Sequence, residues 1–519
     1  MATESSNPLR AGLIAERVPE PCALVIFGAS GDLARRKLVP SLYSLYRERM
    51  LPHAFSAVGF ARREMPRFVE EMRAAADRFA RLRPVDEGVW ASFAEGLSYV
   101  AGDYDDPAAW RRLKEHLAEI DRRRGTQGNR VFYLSTPPSA YPAIVRRLGS
   151  EGMISDGERP FTRVIIEKPF GRDLESAHAL NCVIASVLRE DQTFRIDHYL
   201  GKETVQNIFV LRFANALFEP LWNAKYIDHV QLTVAEAIGV EGRGGYFEEA
   251  GITRDMVQNH MFQILTLAAM EPPNAFEANA IRDEKTKVLR ALRRYSPEEI
   301  ARNVVRGQYG RGAAMGERRP GYRDEKGVAP DSETETYVAM KLHIDNWRWS
   351  GVPFYLRAGK ALPKRVTEIA IQFKEPPPVF FGGEIDGERA RIGDRAPVPP
   401  NVLSIRIQPD EGIALRFAAK VPGPSMDVLP VAMEFRYGSS FGAAPPEAYE
   451  RLILDCTLGD STLFTRSDES EASWRFIDRI FEGWRAPGAR PVDRYPFGTW
   501  GPDAADALLA RDRRTWRRP

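Results

Sequence analysis

Three cysteines stand in 519 residues, at positions 22, 182 and 456. So sparse, odd and widely spaced a set argues against a disulfide framework, and no two sit at metal-ligand spacing. A reducing compartment follows, and the cytoplasm is the expected location. No apolar run approaches the roughly 20 residues that cross a bilayer as a helix, so no membrane partner is expected. Met1 to Asn7 is small and polar, without a hydrophobic signal core. Charge of one sign is missing too: 73 Lys and Arg against 71 Asp and Glu leave a formal net charge of +2. Bulk electrostatics therefore give no reason to expect nucleic acid. The one basic cluster, Arg511 to Arg518, reads as a surface helix end or tail. Repeats and low-complexity tracts are absent as well.

What is present is an ordinary globular composition, on a chain long enough for two or more domains. Cys22 to Phe27 is a continuous apolar run ending in Gly28, the pattern of a strand buried on both faces of a parallel sheet. Leu33 to Met50 carries leucines at helical spacing, interrupted by Pro40. Short apolar runs follow at Ala54 to Phe60, Leu97 to Ala101, Val131 to Leu134, Val164 to Ile166 and Thr193 to Ile196. Helical stretches at Arg67 to Leu82, Pro107 to Arg124 and Leu174 to Arg189 alternate with them. This alternation predicts a Rossmann-type doubly wound sheet in residues 1–200.

Beyond Lys202 the texture changes. Glu203 to Asn215 and Ile252 to Met270 read as helices. From Glu333 onward, strands of period 2 follow one another without helices between them. Residues 201–519 are expected to form a second domain around a large, mainly antiparallel sheet with helices. The fold class is α/β plus α+β. The Pro-rich stretches 376–378 and 397–400 read as surface loops, and Tyr449 to Leu458 and Trp474 to Trp484 as late helices. The boundary near residue 200 is where a small-molecule site is expected.

The turn after the first strand reads Gly28-Ala29-Ser30-Gly31-Asp32-Leu33-Ala34. Its second glycine comes one residue later than in Gly-x-Gly-x-x-Gly. Gly28 still allows a tight turn, Gly31 lets a diphosphate approach the backbone, and Ala34 permits close packing of helix on strand. A dinucleotide is the expected ligand. An acid at the end of the second strand favours NAD, an arginine NADP. Here Phe60 is followed by Ala61-Arg62-Arg63 and only then by Glu64, and Lys37 adds a charge one turn into the helix. NADP is the expected cofactor; the other reading takes Arg62 and Arg63 as plain loop arginines.

Arg195-Ile196-Asp197-His198-Tyr199-Leu200-Gly201-Lys202 packs an acid, an imidazole, a phenol and an amine into the end of a strand. Side chains alternate along a strand and bunch at its end. Such an end can aim His198, Tyr199 and Lys202 at an anion and Asp197 at a buried partner. Taken singly, each residue reads equally well as part of a polar loop. Glu167-Lys168-Pro169 closes another strand, where Lys168 can reach substrate and cofactor together or simply pair with Glu167. The glycines of Glu241 to Phe247 read as a tight structural loop in preference to a phosphate cradle. The helix that follows carries Arg254, Asp255, Asn259 and His260. Asp255 and Asn259 share a face at i, i+4, with His260 about 100° further round. A single histidine on such a helix is ordinarily a satisfied core residue; its polar neighbours favour chemistry. Gly359-Lys360-Ala361-Leu362-Pro363-Lys364-Arg365 puts three cations in six residues, suited to a phosphate or to a solvated strand end.

Seven stretches carry a resemblance: GASGDLARRKL from Gly28, GFAR from Gly59, EKPFG from Glu167, RIDHYLGKE from Arg195, EGRGGYF from Glu241, RDMVQNH from Arg254 and RAGKALPKR from Arg357. In content and order they resemble the glucose-6-phosphate dehydrogenase family, from residue 22 to about 365, with weaker similarity such as IRIQPDEG from Ile405. The resemblance implies oxidation of glucose 6-phosphate to 6-phosphoglucono-1,5-lactone with hydride transfer to NADP+, the first step of the oxidative pentose phosphate pathway, without a metal. His260 matches the general base that takes the C1 hydroxyl proton, and Asp197 the carboxylate that orients it. His198, Tyr199 and Lys202 match the phosphate-binding residues. Lys168, Glu236, Asp255, Lys360 and Arg365 match residues that hold the sugar. The nucleotide matches fall at Gly28, Ser30, Gly31, Asp32, Leu33, Lys37, Arg62, Tyr133 and Lys168.

A homodimer or homotetramer, joined through the large sheet, is also implied. Arg406 and Lys420 match ligands of a second, structural nucleotide in some members. Ala235 and Val366 stand where that site has lysines, so none is expected. A catalytically silent sugar-phosphate and NADP sensor of the same fold is the alternative. Asp197, His260 and Lys168 argue against it, because a sensor has no need of a proton acceptor. A related sugar-phosphate or inositol-type dehydrogenase would leave the match over 195–203 unexplained.

Overall fold

The computed structural model describes residues 18–314, 316–377, 399–424, 428–441 and 446–519. The polar lead Met1 to Asn7 and the prolines at 378 and 397 lie outside the described residues. Two compact units emerge from the contacts. One takes the chain up to Lys168, Cys182–Ile196 and Glu447–Phe464; the other takes Pro169–Asn181, Asp197–Pro446 and Thr465–Pro519. Beside the single division expected at residue 200, this partition is interleaved: the late helix Ala448–Leu458 returns to the first unit.

The first unit is built on β1 (Cys22–Phe27), β2 (Phe55–Ala61), β3 (Leu97–Ala101), β4 (Arg130–Leu134), β5 (Thr162–Ile166) and β6 (Thr193–Ile196). They are ordered β6-β5-β4-β1-β2-β3, every neighbour parallel. The order reverses between β1 and β4, the switch point at which doubly wound sheets bind ligands. All of β1 is buried, which accounts for its unbroken apolar sequence. Phe27 closes it inside an aromatic cluster, 5.4 Å from the Phe60 ring and 5.5 Å from Trp110. The helix expected from Leu33 opens with a wide π-type turn, Ala34–Leu38, before the regular helix Val39–Arg47. Pro40, at the start of the regular part, has no N–H to give to the turn before it.

The second unit carries β7 (Ile227–Ala235), β8 (Val304–Gly310), the short ribbon β9 (Gly312–Ala314) and β10 (Glu317–Arg319), then β11 (Tyr337–His343), β12 (Pro353–Gly359), β13 (Val366–Phe373), β14 (Val402–Gln408), β15 (Gly412–Lys420) and β16 (Val428–Arg436). Its large sheet is ordered β16-β15-β14-β13-β7-β12-β11-β8, with Asp493–Pro496 beyond β8. Only β7–β12 and β8 with Asp493–Pro496 pair in parallel. The mainly antiparallel sheet expected from the period-2 strands is therefore present. Topology then brings distant residues to one edge. β7 and β12 run parallel, so Glu236 and Lys360, just past their ends, are neighbours. β13 runs antiparallel to β7, which places its start, beside Arg365, at the same edge. The end of β14, Gln408, faces Thr367 there.

The basic cluster Arg511 to Arg518 follows the end of the helix Asp503–Ala510, as expected, and part of it also docks on the second unit's sheet. Arg514 pairs with Asp228 at 2.8 Å and Arg517 with the buried Glu368 at 2.7 Å. The Arg357 guanidinium lies 4.7 Å from the Trp500 ring and 4.6 Å from Trp516. The partners stand far back in the sequence, on or beside sheet strands, out of sight of local charge pattern.

Candidate active site

Gly28 leaves β1 at φ +84°, and a Cβ there would lie 2.6 Å from the Ser135 carbonyl oxygen. No side chain fits, so backbone alone faces the turn. Gly31 N–H donates to Gly28 O at 2.9 Å and closes it. Because β1, β2 and β3 are parallel, their carboxyl ends share an edge. Arg62 and Arg63 stand exposed past β2. Tyr104 follows β3, its ring 6.1 Å from Phe27. Burial pushes its hydroxyl up to about 12, against the pull of the Arg62 guanidinium. This phenol beside the glycine turn and Arg62 was not read from the sequence; its place just past a strand end on this edge is the signal that marks it. The residues fit a dinucleotide: a side-chain-free turn for the diphosphate and an arginine at the second strand end.

The other expected nucleotide residues are less direct. Asp32 pairs with Arg36 at 2.8 Å, and Lys37 gives its ammonium to Glu447 at 2.7 Å. Ser30 and Leu33 stay half-buried on the turn. Tyr133 is fully buried in β4, and its hydroxyl donates to Glu167 Oε1 at 2.6 Å. Burial pushes the Glu167 carboxyl up, although hydrogen bonds from Tyr133 and Tyr449 oppose it. The half-buried Lys168 comes next, past the carboxyl end of β5.

In the second unit, Asp197 is 2 % exposed and His260 1 %. Asp197 Oδ1 lies 2.5 Å from His260 Nδ1 and accepts the Tyr199 backbone N–H at 2.9 Å. Burial alone would raise this carboxyl. The His260 charge and hydrogen bond, with His198 and the Tyr199 amide, overcome it and hold Asp197 well below the usual carboxylate range. An ionised carboxylate only accepts. Nδ1 must therefore carry the proton, which makes Nε2 the ring nitrogen that can serve as a base. The Tyr199 ring stacks on His260 at 4.4 Å, and His198 stands edge-on to it at 4.5 Å.

His260 rides on a π-type segment, Thr253–Met261, followed by the regular helix Phe262–Ala269. Phe262 N–H reaches back five residues to Val257 O. Asn259 accepts the His260 backbone N–H at 2.6 Å, and Asp255 accepts from the Tyr246 hydroxyl at 3.3 Å.

At the sheet edge, Lys202 Nζ donates to Gln408 Oε1 at 2.5 Å, and Arg365 reaches the same oxygen at 3.2 Å. Lys202 also lies 4.7 Å over the Tyr199 ring. Gln408 Nε2 donates to Thr367 at 3.0 Å and to the Tyr199 hydroxyl at 3.3 Å. Two cations thus converge on one neutral amide oxygen, an arrangement a phosphate can take over. Gln408 was missed in the sequence because only the β13–β14 register brings it here. The buried Lys360 makes a short ion pair with Glu236, as the parallel β7 and β12 require.

Asp197, His198 and His260 bring three ligand-type atoms within 4.8 Å of one another. Two atoms bound tetrahedrally to one zinc at about 2.0–2.2 Å stand roughly 3.4 Å apart. The 2.5 Å between Asp197 Oδ1 and His260 Nδ1 is instead the length of a strong hydrogen bond.

Two family models match the chain: glucose-6-phosphate dehydrogenase, NAD binding domain, over residues 25–207, and glucose-6-phosphate dehydrogenase, C-terminal domain, over residues 209–517. Among curated proteins, the chain is 49% identical to glucose-6-phosphate 1-dehydrogenase of Chlamydia pneumoniae over 98% of both chains. It is 48% identical to that of Aggregatibacter actinomycetemcomitans over 96% of this chain and 98% of the relative. Among solved structures, one of glucose-6-phosphate dehydrogenase in complex with its substrate glucose-6-phosphate aligns with a TM-score of 0.85 at 36% identity, covering 97% of this chain and 100% of that one. The glucose-6-phosphate 1-dehydrogenase of Mycobacterium avium aligns with a TM-score of 0.78 at 36% identity, over 96% and 99%.

Proposed function

The chain belongs to the glucose-6-phosphate dehydrogenase family, and from that premise we propose that it oxidises glucose 6-phosphate to 6-phosphoglucono-1,5-lactone with NADP+ as hydride acceptor. The observation that carries the chemistry is the buried Asp197–His260 pair. His260 takes the C1 hydroxyl proton at Nε2, and the imidazolium that forms is stabilised by a carboxylate already held ionised. When bound, the nicotinamide supplies the hydride acceptor. Gly28, Ser30, Gly31, Asp32 and Leu33 hold the diphosphate end; Arg62, with Tyr104 beside it, holds the 2′-phosphate. Lys37 and Tyr133 act at one remove, through Glu447 and Glu167.

His198, Tyr199 and Lys202 bind the substrate phosphate. Arg365 joins them rather than the sugar, because it shares Gln408 Oε1 with Lys202. Lys168, Glu236, Asp255 and Lys360 hold the sugar hydroxyls, and Lys168 also meets the nucleotide. Kinetics with each nucleotide in parallel test the cofactor assignment. NADP is expected to be reduced well ahead of NAD. Arg62→Ala is expected to raise the KM for NADP strongly and that for NAD little; equal effects on both would sink the assignment.

The association expected is a homodimer or homotetramer. Leu429, Val431 and Met433 support it, spaced by two along β16 and 41% to 64% exposed. Sedimentation as a monomer would contradict it. A reducing, cytoplasmic location is supported by three free cysteines, two of them buried. A stable disulfide in protein isolated from its cells would count against it. Among the described residues, no helix is long and apolar enough to cross a membrane.

A further inference from the structure

Away from the residues assigned to catalysis, a pocket of about 250 Å³ opens among three helices of the second unit, Ala278–Arg290, Pro297–Asn303 and Ser467–Arg485. Its floor is apolar: Leu292, Ile300, Phe476 and Ile480 line it, each at most 8 % exposed. Its rim is cationic: Arg290, Arg294, Arg475 and Arg479 line it, and no acidic side chain does. Arg290 pairs with Asp468 at 3.5 Å and Arg479 with Glu482 at 3.2 Å. Both pairs are solvent-exposed and weak. Arg294 and Arg475, both exposed, form no ion pair with any described residue.

We propose that this pocket is a second ligand site, taking a small anionic amphiphile: an alkyl chain in the hollow and a carboxylate on the arginine rim. The site is wired to the catalytic segment. Phe476, a wall of the pocket, stands edge-on to Phe262 at 5.8 Å, two residues past His260. Three residues before Phe476, Ser473 accepts the Gln258 side-chain amide at 2.8 Å, both groups buried. An occupant that displaces Phe476 therefore presses on the helix that carries the base, and turnover changes with occupancy.

Calorimetric titration of the full chain with octanoate, octanol and octylamine tests this, under saturating glucose 6-phosphate so that the anion-binding residues of the active site are filled. Octanoate is expected to bind once per chain, at least about tenfold tighter than octanol, and octylamine not to bind. The exposed Arg475→Glu should weaken octanoate at least about tenfold, and Ala472→Trp should fill the hollow and abolish binding. Should Ala472→Trp misfold, Arg475→Glu carries the test alone. Equal affinity for octanol, unsaturable multisite uptake, or full octanoate affinity in Arg475→Glu would overturn the site. Turnover unchanged at saturating octanoate would overturn the coupling.

Discussion

Oδ1 of Asp197 accepts from both the Tyr199 amide and His260, while Oδ2, buried, has no hydrogen-bond partner among the described residues. The charge is thus committed to the imidazole, and the tautomer is fixed by one short bond. The stacked Tyr199 ring holds the imidazole plane from one side. Its hydroxyl, pushed up to about 12 by burial, stays neutral at physiological pH and fit to donate to a phosphate. Gln408 is the residue on which the anion group turns, because its neutral oxygen keeps Lys202 and Arg365 close without cancelling them. Gln408→Glu should therefore raise the KM for glucose 6-phosphate about tenfold or more, with kcat little changed. An unchanged KM, read from initial rates, would show that the phosphate does not meet these cations.

At the scale of elements, each unit has one turn that carries candidate site residues, and both turns depart from regular geometry. The glycine turn after β1 is sterically fixed: Gly28→Ala meets both a positive φ and the Ser135 carbonyl. A cost of about 1–3 kcal/mol is expected, seen as a lower Tm and a raised KM for the nucleotide. A variant with wild-type Tm and KM would mean the turn yields freely. This element was legible in sequence, since an unbroken apolar strand followed by glycine has few other readings. So was the cluster from Asp197 to Lys202, which is contiguous. The wide turn under His260 was not legible, because nothing in Thr253 to Met261 tells each N–H to choose a carbonyl five residues back over four. Gln408 stayed hidden for a different reason. It comes some 200 residues after Tyr199, and only sheet register joins them.

Across the whole molecule, the doubly wound first sheet and the mainly antiparallel second sheet were readable from periodicity. The return of Ala448–Leu458 to the first unit and the docking of the C-terminal cluster were not, since both rest on long-range pairing. The tail does measurable work in this account. Removing residues 514–519 would strip Arg517 from Glu368, a carboxylate 2% exposed, and Trp516 from Arg357. A buried charge left without its partner costs about 3–5 kcal/mol, so Tm should fall by several degrees. An unchanged melting curve would show that the tail merely rests on the surface.

The central claim is that His260, held by Asp197, is the base. The most direct test follows reduced nicotinamide by its near-ultraviolet absorbance, with glucose 6-phosphate and NADP, in the wild-type chain and in His260→Asn. Turnover is expected to fall roughly 100- to 10,000-fold in the variant, with glucose 6-phosphate still bound at near wild-type affinity. Turnover close to wild type would mean that another group takes the proton, and the assignment of this pair would fall.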